Sequence, residues 1–151
     1  MDSLVFKRTE TGIELTYAPP WFVPAHLKMD YEILFLRVVT LHREFIGVVV
    51  NESNEQIAFM DRYKNDLQFW PEFLLTINSI KPLNPKSNPI RARPFPHASL
   101  SLIQYSLLKP IRISDQWIEV ELFDDNLNSK GKGWVKWQEK GKLLITYSLL
   151  S

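Results

Sequence analysis

The strongest pattern in the chain is alternation of apolar and polar positions, clearest at residues 117–123, Trp-Ile-Glu-Val-Glu-Leu-Phe. Successive side chains on a strand point to opposite faces. Ile118, Val120 and Leu122 therefore share one face, the predicted core, while Trp117, Glu119 and Glu121 share the other. The stretch 110–150 continues in kind. A polar run follows at 124–132, then Gly133-Trp-Val-Lys-Trp137, then Gly141-Lys-Leu-Leu-Ile-Thr-Tyr147. Short β-prone runs separated by turn residues predict antiparallel strands closing into a small barrel.

Upstream, residues 4–9 and 12–17 form a predicted hairpin about Glu10-Thr11-Gly12, with Ile13, Leu15 and Tyr17 on a buried face. Pro19, Pro20 and Pro24 stop a strand at 18–24, because proline has no N–H to donate. A connector over 18–30 is expected, its Trp21 and Phe22 serving either as recognition anchors or as packing on their own barrel. A helical turn is expected at 26–30, pairing His26 with Asp30. Strands are predicted at 33–40, 45–50 and 56–61, with a turn at 51–54; the run 72–80 fits a short helix or a strand, and the internal parallel favours a strand through Leu75 to Ile77. Three prolines and no apolar periodicity at 81–89 mark residues 83–89 as a linker. The predicted domains are then 1–82 and 90–151.

The two halves can be superposed in sequence. An offset of 72 residues lays Phe45-Ile46 on Trp117-Ile118, Val48 on Val120, Val50 on Leu122 and Val39 on Ile111. An offset of 70 lays Leu75–Asn78 on Ile145–Ser148. Duplication and the chance likeness of two apolar β-rich stretches both explain this, and a single split domain is the competing architecture.

Composition narrows the function classes. The chain has 151 residues, 45% hydrophobic and 23% charged, which is ordinary for a folded domain. Its net charge of +1 gives no field favouring nucleic acid or an anionic membrane. Arg91, Arg93, Lys109 and Arg112 offer a basic patch near aromatics, but nucleic acid is not an expected partner of a nearly neutral chain. With no cysteine there is no disulfide or thiolate chemistry. No run is long and apolar enough to span a membrane, and Met1-Asp2 leads into β-prone residues without the basic start of a leader peptide.

Candidate chemistry is sparse. His26, His42 and His97 lie far apart and in no metal-ligand spacing, and no nucleophile elbow or phosphate loop occurs. Asp124-x-Asn126-x-Asn128 has the opening of a calcium loop, but Ser129 stands where the glycine belongs and Val135 where the bidentate glutamate belongs. Asn51-Glu52-Ser53 fits a glycosylation sequon. Neither a catalytic residue, a metal site nor a cofactor is expected.

Three pieces of the second half occur in a familiar order: Asn88-Pro-Ile-Arg-Ala-Arg-Pro94, Trp117-Ile-Glu-Val120 and Gly133-Trp-Val135. Over 88–151 the chain resembles the bacterial SH3-like (SH3b) family, whose opening strand and whose W-x-x-V and G-W-V strands these pieces match. The first half carries Ala58 and Phe59 where Gly-Trp-Val stands in the second, and is expected to be a divergent copy. The resemblance implies an all-β protein of two SH3-like barrels in tandem. It also implies a periplasmic or extracellular binding module that recognises an extended peptide, a peptidoglycan fragment or a protein segment. Its expected groove residues are Trp117, Glu119, Trp134, Trp137 and Phe95. Two other readings stay open: a structural domain whose aromatics are buried between barrels, and a small hydrolase using His97 or His42.

Overall fold

The structure, a computed structural model, describes residues 5–10, 12–28 and 33–149. The protein is all-β, built from antiparallel strands with one five-residue α-helix among the described residues. It divides into two units, Met1–Leu67 and Gln68–Ser151.

In the first unit β1 (Val5–Thr9) and β2 (Gly12–Tyr17) form the expected hairpin, with Thr9 opposite Gly12. Tyr17 is half exposed, contrary to its alternation, because a two-stranded ribbon has little to bury against. The side chains of Ile13 and Leu15 lie outside the description. Residues 26–28 are not helical: β3 (His26–Lys28) pairs with β4 (Ile33–Phe35), and Asp30 lies outside the described residues. The meander β5 (Arg37–Leu41), β6 (Phe45–Asn51) and β7 (Gln56–Asp61) carries the core of this unit. Ile46, Val48 and Val50 are buried on one face of β6, and Trp21 and Phe22 pack against them. The proline-rich connector thus spends its aromatics on its own unit. It is held by Val23, whose N–H donates to Val50 O and whose carbonyl accepts from the Glu52 N–H. Among the described residues these strands form three separate sheets, so no ladder joins them into the barrel expected for residues 1–82.

The second unit starts with α1 (Trp70–Leu74), and the strand predicted through Leu75 to Ile77 is instead the turn and bend that follow it. Pro71 sits in its first turn, where a missing N–H costs nothing, and Phe73 and Leu74 bury its inner face. The strands are β8 (Ser79–Pro82), β9 (Leu107–Ser114), β10 (Trp117–Phe123), β11 (Ser129–Lys136), β12 (Gln138–Glu139), β13 (Lys142–Leu143) and β14 (Ile145–Ser148). Five of them form one sheet in the order β11-β10-β9-β8-β14. Its two end strands are stitched by the β12–β13 hairpin and by the Leu144 N–H donating to Trp137 O at 2.9 Å. Ile118, Val120 and Leu122 are fully buried, with Leu108, Ile80 and Val135 around them, as the alternation predicted.

The boundary differs from the sequence expectation. β8 pairs with β14 and β9, so residues 68–82 belong with the second unit. Residues 83–89 are no linker between units either. Asn88 is buried, its Nδ2 donating to Lys136 O and its Oδ1 accepting the Lys136 N–H. Residues 88–94 form no strand of the sheet: Arg91 makes isolated bridges to Leu100 and Trp134, and β8 is the sheet's opening strand.

The internal likeness survives in one part. Val38 faces Val48 and Thr40 faces Gly47, leaving Val39 in a bulge. At the offset of 72, Pro110 faces Val120 and Arg112 faces Glu119, leaving Ile111 in the bulge. The β5–β6 and β9–β10 hairpins therefore share one register and one irregularity. The match of Leu75–Asn78 with Ile145–Ser148 fails. Leu75 caps α1, whereas Ile145–Ser148 is a strand.

Candidate functional site

The β9-β10-β11 sheet brings three of the expected groove residues onto one outer face. Glu119 lies opposite Trp134 on β11 and Arg112 on β9, and Trp117 lies opposite Lys136 and Ser114. The rings, however, are covered: Trp117 is 8% exposed, Trp134 7% and Trp137 7%. Lys136 Nζ lies 5.7 Å from the Trp117 ring centre and reaches Glu139 at 2.8 Å. The Arg112 guanidinium lies 5.2 Å over Trp134 and its Nε is 2.6 Å from Glu119 Oε2. Such contacts are attractive by about 0.5–1 kcal/mol each at partly exposed sites. Trp137 donates its Nε1–H to Asp115 O at 2.8 Å. The groove expected at Trp117, Trp134 and Trp137 is therefore filled by the unit's own side chains. Phe95 is half exposed in the 83–106 loop, stacked with His97 at 6.1 Å.

One further contact closes the edge of β11. Arg91 and Trp134 exchange backbone hydrogen bonds of 2.8 and 2.7 Å, an isolated bridge that lays residues 90–91 along the outer edge of β11. Ile90 packs over Gly133, where a Cβ would sit only 2.3 Å from Ile90 Cγ2. The glycine is what admits the added segment.

The catalytic and metal readings gain nothing from the geometry. His42 stacks on Phe45 at 4.3 Å and His97 on Phe95, and the side chain of His26 is outside the description. Among the described residues no group of three His, Asp or Glu is placed to hold a metal ion. In the 124–128 loop the Asp124 carboxylate accepts the N–H groups of Asn126 and Asn128 and pairs with Lys130 at 3.3 Å. The hydrogen bond from Asn128 is the chief reason its pKa falls below the ordinary aspartate value. This is a turn held by its own donors. The sequon asparagine, Asn51, is buried, its Nδ2 donating to Trp21 O at 2.7 Å and its Oδ1 accepting from Ser53 N. Two of the four cations of the supposed basic patch are engaged: Arg91 donates to Ala98 O and Arg112 pairs with Glu119.

The first unit presents the same positions uncovered. Phe45 occupies the place of Trp117, and an offset of 75 residues puts Ala58, Phe59 and Met60 in the places of Gly133, Trp134 and Val135. The third strand shifts by three more residues: the 124–128 loop is one residue longer than the 52–55 turn, and the ladder skips Val50 on β6 in one hairpin but Lys130 on β11 in the other. Phe59 is 68% exposed and Phe45 37%, and their rings meet edge to face at 5.5 Å, with His42 stacked beyond. Gly47 lies between them, its absent Cβ leaving room for Phe59 and Thr40.

The edge of β7 is open in the same sense. Among the described residues β7 pairs only with β6. Arg62 N–H donates to Glu44 O, which sets the alternation along the ladder: Ile46–Met60 and Val48–Ala58 are hydrogen-bonded pairs, and Gly47–Phe59 and Val49–Ile57 are not. The N–H and C=O of Ile57 and Phe59 therefore point away from β6. They occupy the edge that Arg91 covers at Trp134. The alignment of Ala58-Phe59-Met60 with Gly133-Trp134-Val135 was visible in sequence, but only once the third strand was allowed its own offset.

No family model, curated protein or solved structure matches the chain.

Proposed function

We propose that this chain is a non-catalytic binding module that takes up an extended polypeptide segment as an added strand on β7. The observation that carries the reading is internal. At Trp134 the molecule's own residues 90–91 fill an edge whose counterpart at Phe59 is open. Strand addition draws affinity from main-chain hydrogen bonds and specificity from the alternate side-chain positions. Here those positions are Ala58, whose Cβ leaves room only for a residue smaller than the Ile90 that Gly133 admits, and the Phe45–Phe59 pair on the opposite face. The second unit then acts as the scaffold, its tryptophans engaged in its own packing.

The continuous pairing from β8 round to β14, stitched at Trp137–Leu144, supports reading the second unit as an SH3-like barrel. With that reading comes the ligand class the resemblance implies, a cell-wall peptide or a protein segment of the cell envelope. A fluorescent peptide of residues 86–94, Lys-Ser-Asn-Pro-Ile-Arg-Ala-Arg-Pro, is the direct probe, and purified peptidoglycan fragments are the second. Binding to the full chain is expected for at least one of them, weakened about fivefold or more by Phe59→Ser, a loss of about 1 kcal/mol, and unchanged by Phe95→Ser. Binding of neither, or binding that follows Phe95 and ignores Phe59, overturns the proposal.

A further inference from the structure

We infer that β7 also pairs with β7 of a second copy of this chain, forming a weak antiparallel homodimer that covers the edge until a ligand strand displaces it. The inference rests on the reading of β7 as the binding edge, and concerns what occupies that edge when no ligand does. Edge strands that stay unpaired are usually blunted by lysine, proline or an inward charge. β7 carries no lysine or proline, its one charge, Asp61, stands at its end, and Ile57 and Phe59 are exposed on its outer face.

Charge selects the partner and its direction. The turn entering β7 holds Glu52 and Glu55 against the single cation Arg37, at 3.0 and 3.6 Å, and so is net negative. The 3-10 turn leaving it, Arg62–Lys64, holds Arg62 and Lys64 against Asp61 and is net positive. A second copy laid antiparallel brings the acidic end of each strand to the basic end of the other, at both ends at once. A parallel copy would set like against like.

The two-fold axis falls at Phe59, whose N–H and C=O both point outward and can be exchanged with Phe59 of the other copy. That register sets Ala58 opposite Met60 and Ile57 opposite Asp61, so residues 57–61 of each copy form the ladder. It also places Glu55 beside the second copy's Arg62 and Lys64. A ladder of five residues buries less than the roughly 1,000 Å² of a stable interface, so the dimer is concentration-dependent. The chain's net charge of +1 offers little long-range repulsion against it.

Sedimentation equilibrium on the full chain, from about 10 to about 500 µM, tests this against the charge-swapped variants Glu55→Lys and Lys64→Glu. Both residues are exposed, so the fold is expected to tolerate either change. Wild type is expected to dimerise within that range, each single swap to weaken the dimer about threefold or more, and the double swap to restore it. A monomer throughout, or single swaps without effect, overturns the inference. A monomer that still binds peptide through Phe59 removes the dimer and leaves the binding function. A dimer sensitive to the swaps that binds neither peptide nor peptidoglycan does the reverse.

Discussion

Replacing Gly133 by alanine puts a methyl carbon 2.3 Å from Ile90 Cγ2, more than an ångström inside the ~3.5–4.0 Å of ordinary carbon contact. Neither side can yield easily. Ile90 is buried, Arg91 O is 3.3 Å from the same point, and Leu122 Cδ1 lies behind it at 3.6 Å. Overpacking of this kind costs about 1–3 kcal/mol, and the closeness of the clash places Gly133→Ala in the upper half, about 2–3 kcal/mol. Ile90→Ala alone removes buried apolar volume at a cost of about 2–5 kcal/mol. With Ile90 shortened the clash partner is gone, so the double variant should be no less stable than Ile90→Ala by itself. The coupling is then about 2 kcal/mol in favour of the pair.

Urea unfolding followed by tryptophan fluorescence suits the test, because four of the five tryptophans belong to the second unit. With a urea slope of about 1–3 kcal/mol/M, Gly133→Ala should lower the midpoint by about 1 M. Strictly additive costs, or a Gly133→Ala variant as stable as wild type, would refute the claim that this glycine exists to seat residues 90–91 against β11.

Two further outcomes follow from the hydrogen bonding. Asn51→Ala leaves Trp21 O without its side-chain donor and Ser53 N without its acceptor, which should cost the first unit about 1–3 kcal/mol, read from the emission of Trp21 during denaturation. Asp124 has a pKa lowered in the fold, chiefly by the Asn128 N–H, so the stabilisation it gives is present above the unfolded carboxylate value of about 3.9 and is lost as pH falls through the folded one. The stability difference between wild type and Asp124→Asn should therefore be constant near neutrality and vanish in acid; a difference that persists at pH 2 would contradict it.

How legible the chain was depended on how local each determinant is. Alternation at 117–123 fixed strand, face and core together, because a one-residue slip would expose Ile118, Val120 and Leu122 at once. The run 56–61 was equally plain, bounded by turn residues on one side and polar residues on the other. Residues 70–80 misled because their apolar pattern fits helix and strand alike. The deciding signal, Pro71 in the first turn, was outweighed by a sequence parallel that the fold does not keep. The prolines of 81–89 resemble a linker locally, yet Asn88 bonds across to Lys136, 48 residues away. Distance also hid the state of the site. Pleat parity placed Trp117 and Trp134 on the outer face, and nothing within β10 or β11 could say that Lys136, Arg112 and residues 90–91 would cover them. For the same reason the alignment of Phe45 with Trp117 and of Phe59 with the Gly-Trp-Val strand does not reveal that these two rings lack that cover.

Amide hydrogen exchange on the dilute full chain, with and without saturating 86–94 peptide, bears most directly on the β7 edge. Strand addition predicts that the N–H groups of Ile57 and Phe59 exchange fast in the free protein and slow down when the peptide binds. Those of Ala58 and Met60, already donated towards β6, should change little. Protection that ignores this alternation, or that falls only on the second unit, would contradict the account.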